Sequence, residues 1–370
     1  MFRIMGFFLV FMALLLDVSC KRKCDCYSNV DRVVQKKEGA LPWSVHKINM
    51  EGFLTLLKRV RHNEMFGFHT IPLNGSEAIV FLSADSRLFS IDIASGKVLD
   101  SLNLISILPQ NDYYGVLIQK DTIHLLNQNR SIYYKYKMRF KESTFLIDSF
   151  NLGNRKEFDN CVTNLLIGRP AITYKWPFAW VQYSNLKKNN GLDNNAYIKI
   201  NFLKKTIDKI IAYPECYKCC YQYLATSSLV VSPNGETITL FDYYDKLFVD
   251  LDGKRKGIFE LTHDCRMRKY EESKSENLAY TRRYLENEEV NMGLFLLQNE
   301  NLVAVKRNYK QSLSDLPTYS IFLFDSGHKL LFEKNIDHDL AGVPIIVPYK
   351  NGLLMINKKY NQGYYYAFEK

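Results

Sequence analysis

The stretch from Phe68 to Leu99, FHTIPLNGSEAIVFLSADSRLFSIDIASGKVL, most constrains what this chain can fold into. Phe68 to Pro72 is a short apolar run, followed by Leu73-Asn74-Gly75. Asn-Gly is a strong hairpin signal because both residues accept a positive φ. Ala78 to Leu82 is a second run, rich in β-branched and aromatic side chains, and Ser83 to Ser86 is a cluster of turn formers. Leu88 to Ile93 alternates in part, as a half-buried strand does. Ser95-Gly96 then turns the chain into Lys97 to Leu102. Four strands joined by short turns make an up-and-down antiparallel sheet. One small sheet cannot bury both of its faces, so copies must pack on one another.

Weaker copies recur downstream. Aligned on the third strand, they are Leu88–Asp92, Ile123–Asn127, Tyr197–Asn201, Leu247–Leu251, Ile321–Asp325 and Tyr364–Phe368. The turn between the first two strands recurs at Asn74-Gly75, Asn234-Gly235, Asn299 to Asn301 and Asn351-Gly352. The mean spacing is about 55 residues, which fits propeller blades that carry long loops. The pattern predicts an all-β fold, a six-bladed β-propeller of four-stranded antiparallel blades. No strand-like run follows Tyr364–Phe368, so the sixth blade needs its outer strand from the N-terminal segment. Asn29 to Val34 is the expected closing strand, which would leave the ring no free edge. Composition agrees: 47% of residues are hydrophobic, and 25 Tyr and 23 Phe favour strands over helices.

The first 20 residues differ from the rest. Arg3 precedes Phe7–Leu16, an uninterrupted apolar run too short to span a bilayer but suited to a signal-peptide core. Asp17-Val18-Ser19-Cys20 follows. A Cys just behind the apolar core, after a small residue, resembles a bacterial lipobox, in which the Cys is lipidated and becomes the mature N-terminus. Asp17 departs from that pattern. An ordinary secretory signal and an uncleaved anchor are the alternatives. The expected organisation is a signal peptide over 1–19, a lipid-anchored tether over 20–27 and one propeller domain over 28–370. Lys21-Arg22-Lys23 would then lie beside lipid headgroups. The net charge of +10 is spread among interleaved acids, and no nucleic-acid recognition motif accompanies it, so nucleic acid is not an expected partner.

Three constellations could carry chemistry. Cys216 and Cys219 form a C-x-x-C, and His263 with Cys265 adds two further ligand types. Thiolate and imidazole suit zinc, but an i, i+2 second half-site is unusual, so no metal or other cofactor is expected. In an exported protein a disulfide, such as Cys216 or Cys219 with Cys265, is the nearer reading, and free buried thiols are another. Tyr174, Trp176 and Trp180 concentrate flat aromatic rings that suit docking of a sugar or a peptide. Burial between blades is the alternative reading for them. His338 between Asp337 and Asp339 lacks a nucleophile or a third group, and no catalytic motif appears, so no catalytic residue is assigned.

The lipobox-like Cys20, the strand-like N-terminal segment and the six irregular four-stranded repeats resemble the six-bladed, TolB-like propeller lipoproteins of Bacteroidetes, a family of uncharacterised function. The resemblance implies a lipoprotein of the cell envelope, at the outer membrane, held there by its lipid and meeting an envelope protein or a glycan. The leading expectation is a ligand- or protein-binding scaffold. A glycan-active hydrolase or lyase using the propeller face, and a structural subunit of an outer-membrane complex, are the alternatives.

Overall fold

The computed structural model describes residues 43–50, 65–73, 76–83, 86–104, 114–119, 121–127, 132–137, 145–151, 172–182, 195–212, 227–261, 279, 288–308, 317–336, 344–357 and 362–368. The first described strand, β1 (Trp43–Asn49), stands apart from those that follow it. Blade one is β2 (Met65–Leu73), β3 (Ser76–Ser83), β4 (Arg87–Asp92) and β5 (Val98–Asn103). Blade two is β6 (Tyr114–Gln119), β7 (Thr122–Asn127), β8 (Ile132–Lys137) and β9 (Phe145–Asn151). Blade three is β10 (Ile172–Lys175), β11 (Phe178–Gln182), β12 (Asn195–Asn201) and β13 (Thr206–Ala212). Blade four is β14 (Ser227–Val231), β15 (Thr237–Phe241), β16 (Lys246–Leu251) and β17 (Lys254–Glu260). Blade five is β18 (Val290–Leu296), β19 (Leu302–Arg307), β20 (Tyr319–Phe324) and β21 (Leu330–Ile336). Blade six is β22 (Ile345–Tyr349), β23 (Gly352–Asn357) and β24 (Gln362–Phe368), with β1 as its outer strand.

The inner strands touch in cyclic order, β2 to β6, β10, β14, β18 and β22, and β22 returns to β2. The molecule is therefore a closed six-bladed propeller. Apolar side chains from facing blades form one core cluster at each of the six seams. Ile71, Val80 and Leu88 meet Val116, Ile123 and Leu125 between blades one and two. Leu240 and Leu247 meet Ala304 and Phe322 between blades four and five. This is why the middle strands read as near-continuous apolar runs: both of their faces are covered.

An N-terminal strand closes the ring, but it is Trp43–Asn49 rather than Asn29–Val34. It pairs antiparallel with β24, from Trp43 opposite Phe368 to Asn49 opposite Gln362. Residues 29–34 lie outside the described residues. Trp43 selects the register: its ring stacks on Tyr366 at 5.3 Å and meets the edge of Phe332 in blade five at 5.6 Å. Nothing in Asn29–Val34 offers an aromatic of that size.

Five of the six aligned runs lie in third strands. The exception is Ile123–Asn127, which is the second strand of blade two; the third is β8. Asn127 at its end imitates the Asp92, Asn201 and Asp325 that close three of the other aligned runs. The first hairpin of blade two pairs Gln119 with Thr122, and the sequence between them lacks the Asn-Gly signal.

The topology makes the two ends of the ring unlike. Turns between first and second strands, and between third and fourth, lie at one end, and among the described residues they are short. All six connections between blades leave from the other end, as do the two longest turns within blades, residues 183–194 and 308–318. The ring thus has a short-turn end and a long-connection end.

Candidate functional site

The seam between blades two and three carries a group of polar aromatic side chains. His124 on β7 is buried, 2% exposed, and its Nδ1 is hydrogen-bonded to the Tyr133 hydroxyl at 2.5 Å. Strand pairing sets Leu117 opposite His124 and Leu126 opposite Tyr133, so both side chains leave the same face of the blade. That face meets blade three. Tyr174 tilts over His124 with ring centroids 4.4 Å apart, and Phe202 stacks on Tyr133 at 4.3 Å. Trp176 stacks in turn on Phe202 at 6.3 Å with an interplanar angle of 17°.

Burial sets the charge state of this group. Removal from water pushes His124 down to about 4, helped by the positive charge of Lys135 and by His69. His69, on β2, is also held down at about 4 by burial, although the Val116 carbonyl 3.4 Å from its Nε2 opposes the shift. Burial raises Tyr133, with Tyr174 and Asp148 adding to the effect, and burial pushes Tyr174 up to about 12. Near neutral pH, then, both imidazoles are uncharged and both phenols keep their protons. The group is a rigid, uncharged hydrogen-bonding core.

Only one part of it reaches solvent. Trp176 lies in the turn between β10 and β11, preceding a cis peptide bond to Pro177, and is 52% exposed. The Phe202 amide donates to the Pro177 carbonyl at 3.0 Å, tying this turn to the one after β12. Leu203 follows Phe202 in that second turn and is 67% exposed. The Lys204 amide donates to the Asn201 side-chain oxygen at 3.1 Å, which fixes the turn tip. Lys135 places its ammonium 5.0 Å from the centre of the Trp176 ring. The surface that results carries Trp176 and Leu203 beside Lys135, Lys204 and Lys205, with a packed aromatic wall behind it.

Of the residues singled out in the sequence, the fold brings Tyr174 and Trp176 together, with centroids 6.4 Å apart. Trp180 is elsewhere. Thr173 pairs with Trp180 and Tyr174 with Ala179, so Tyr174 and Trp180 project from opposite faces of blade three. Trp180 is 4% exposed and packs against blade four with Tyr197, Phe241 and Phe248. Lys199 lies 5.4 Å above its ring. Cys20, Cys216, Cys219, His263, Cys265 and His338 all lie outside the described residues. Among the described residues no group of three or more His, Cys, Asp or Glu is placed to hold a metal ion. His124, Tyr133 and Phe202 were not singled out. The one available signal was a histidine inside the apolar run IHLLN, directly flanked by Ile123 and Leu125.

No family model matches the sequence, and no curated protein matches it. Solved structures share its fold. A member of the DUF4221 family from Bacteroides vulgatus is similar at a TM-score of 0.64 and 11% identity, over 89% of this chain and 96% of that one. A streptogramin B lyase aligns at a TM-score of 0.49 and 9% identity, over 90% of this chain and all of the other. The virginiamycin B lyase of Staphylococcus aureus aligns at 0.48 and 9% identity, over 89% of this chain and all of the other. At these identities the likeness concerns the propeller alone, a fold that hosts unrelated functions.

Proposed function

We propose that this protein is a binding scaffold held at the cell envelope, and that it meets its partner through the surface formed by Trp176 and Leu203. The observation that carries this reading is the position of Trp176. Large aromatic side chains are expected to be well covered, yet this one stays 52% exposed while Phe202 behind it and Lys135 above it hold its ring in place. A rigid aromatic face loses little conformational freedom on binding, which is what an anchor residue of an interface requires. The envelope address rests on the apolar run Phe7–Leu16 followed by Cys20, with residues 20–27 as tether.

Mass spectrometry of the mature N-terminus tests the address. A diacylglyceryl-modified Cys20 is expected; an unmodified Cys20, or cleavage at another position, would sink it. Binding is tested with intact envelope fractions and the chain carrying Cys20→Ser, so that the lipid anchor does not itself supply the association. Trp176→Ala should lower their association at least tenfold while circular dichroism stays unchanged. Equal association of the variant would remove Trp176 from the binding surface.

A further inference from the structure

Every large hydrophobic side chain that is more than a third exposed among the described residues lies toward the short-turn end. These are Val45, Val98, Leu99, Leu146, Ile147, Trp176 and Leu203. Val45 falls in the first half of β1, and the next four in the first halves of β5 and β9, all of which start at that end. Trp176 and Leu203 occupy its turns. They belong to blades six, one, two and three, which are consecutive around the ring.

The same end carries exposed lysines. Lys204 and Lys205 follow Leu203 directly, and Lys97, Lys254, Lys256 and Lys329 lie on other turns or strand starts at that end, against exposed Asp121, Asp252 and Glu300. Asp121 is itself ion-paired with Lys137. Exposed Trp and Leu beside lysines match the chemistry of a bilayer interface with anionic headgroups, where the ring sits at headgroup depth and the ammonium groups meet phosphate.

The chain's own N-terminal segment arrives at this end. Trp43 opens β1 opposite Phe368, at the short-turn end, so residues 1–42 join the propeller there. From Cys20 to Trp43 a fully extended chain would reach at most on the order of 75 Å, so a lipid on Cys20 leaves this end within reach of the membrane.

We infer that the short-turn end docks onto the anionic surface of the membrane, with Trp176 and Leu203 entering the interfacial layer and Lys204 and Lys205 on the headgroups. The inference rests on the envelope reading above and names the membrane surface as what the Trp176 patch meets. A glycan explains the ring of Trp176 but gives no reason for exposed Leu203, Val98, Leu99, Leu146 and Ile147 on the same half.

The test uses the full chain reconstituted with vesicles of phosphatidylethanolamine and phosphatidylglycerol, with and without brominated acyl chains, and reads flotation and tryptophan emission together. Of the three tryptophans, Trp180 is buried in a seam and Trp43 lies partly covered under Lys334, so the difference between wild type and Trp176→Phe isolates Trp176. Bromolipid should quench the wild type clearly more than W176F. The combined change Lys204→Gln and Lys205→Gln should lower the docked-to-undocked ratio about thirtyfold, from roughly 1 kcal/mol per lysine near an anionic surface. Flotation with quenching equal in wild type and W176F would overturn the docking and leave the envelope anchor standing. Failure to float would overturn the anchor and the docking together. Quenching that vanishes when purified envelope proteins or glycans cover Trp176 on vesicle-bound protein would assign the patch to that partner and overturn the membrane contact.

Discussion

Trp43 and Phe368 stand opposite each other in the sixth blade, joining a segment that precedes all the other described strands to the last one. Around this pair, Trp43 stacks on Tyr366, meets Phe332 edge-on and lies 4.3 Å below the Lys334 ammonium, so one ring binds β1 to β24 and to the outer strand of blade five. Trp43→Ala removes all three contacts. The expected cost is about 3 kcal/mol, the lower end for truncating a large aromatic because this one keeps partial exposure. Equilibrium urea unfolding measures it, and an unchanged midpoint would show that the seam does not depend on this ring.

His124 gives the fold a pH dependence of known sign. Its pKa is about 4 in the folded protein and about 6.5 in the unfolded chain, so between those values only the unfolded chain takes up the proton. The stability it contributes is complete above about pH 6.5 and falls as pH drops toward 4. A shift of this size corresponds to about 3 kcal/mol for a fully covered group. His124→Gln should flatten the profile of unfolding free energy over that window, although His69, held down similarly, keeps part of the slope. A variant as acid-sensitive as the wild type would exclude His124 as a source.

Lys306 is the most enclosed lysine in an ion-pair cluster among the described residues. Its ammonium lies 2.5 Å from Asp245 and 2.7 Å from Glu289, with its side chain 7% exposed. Burial opposes its charge, but the two carboxylates outweigh burial and hold its pKa above the ordinary lysine value. Lys306→Met keeps the stem and leaves two carboxylates facing each other across the seam of blades four and five. The expected loss is about 3 kcal/mol or more. The further change Asp245→Asn should restore part of it, and no restoration would place the cost elsewhere.

Two glycine substitutions separate crowding from backbone conformation. A Cβ on Gly352 would run into the Tyr366 carbonyl oxygen and come within 3.0 Å of the Ala367 Cα, both on the neighbouring strand of the closing blade. Gly235 has a φ of +93° and nothing within 4 Å of such a Cβ. Gly235→Ala should cost about 1 kcal/mol, from the left-handed conformation alone. Gly352→Ala should cost about 3 kcal/mol, because backbone must shift. Thermal unfolding of the two variants gives the order directly.

The sheet count, the ring and the need for a closing N-terminal strand were legible because they follow from local signals: turn residues at fixed spacing and apolar runs of strand length. Closure by Trp43 was not, since its selection depends on Tyr366 and Phe332, which lie far off in sequence. The register of blade two was lost where Asn127 ends a second strand with the residue type that ends third strands elsewhere. The aromatic group was half legible. Tyr174 and Trp176 stood out by type, but whether they share a face with Trp180 depends on the pairing of Thr173 with Trp180. His124 and Tyr133 come together only through the pleat of one blade and the arrival of the next.

Closing the sixth blade with strands from both ends of the described chain also decides the order in which the molecule can be made. β1 is synthesised early and has no partner until β24 has been synthesised, so one edge must stay unpaired while nearly the whole chain is added. Contacts this far apart in sequence are slow to form, and an unpaired edge invites pairing with other chains in the interval. Closure of the ring thus waits for β24, and the chain needs protection from its neighbours until that strand meets β1.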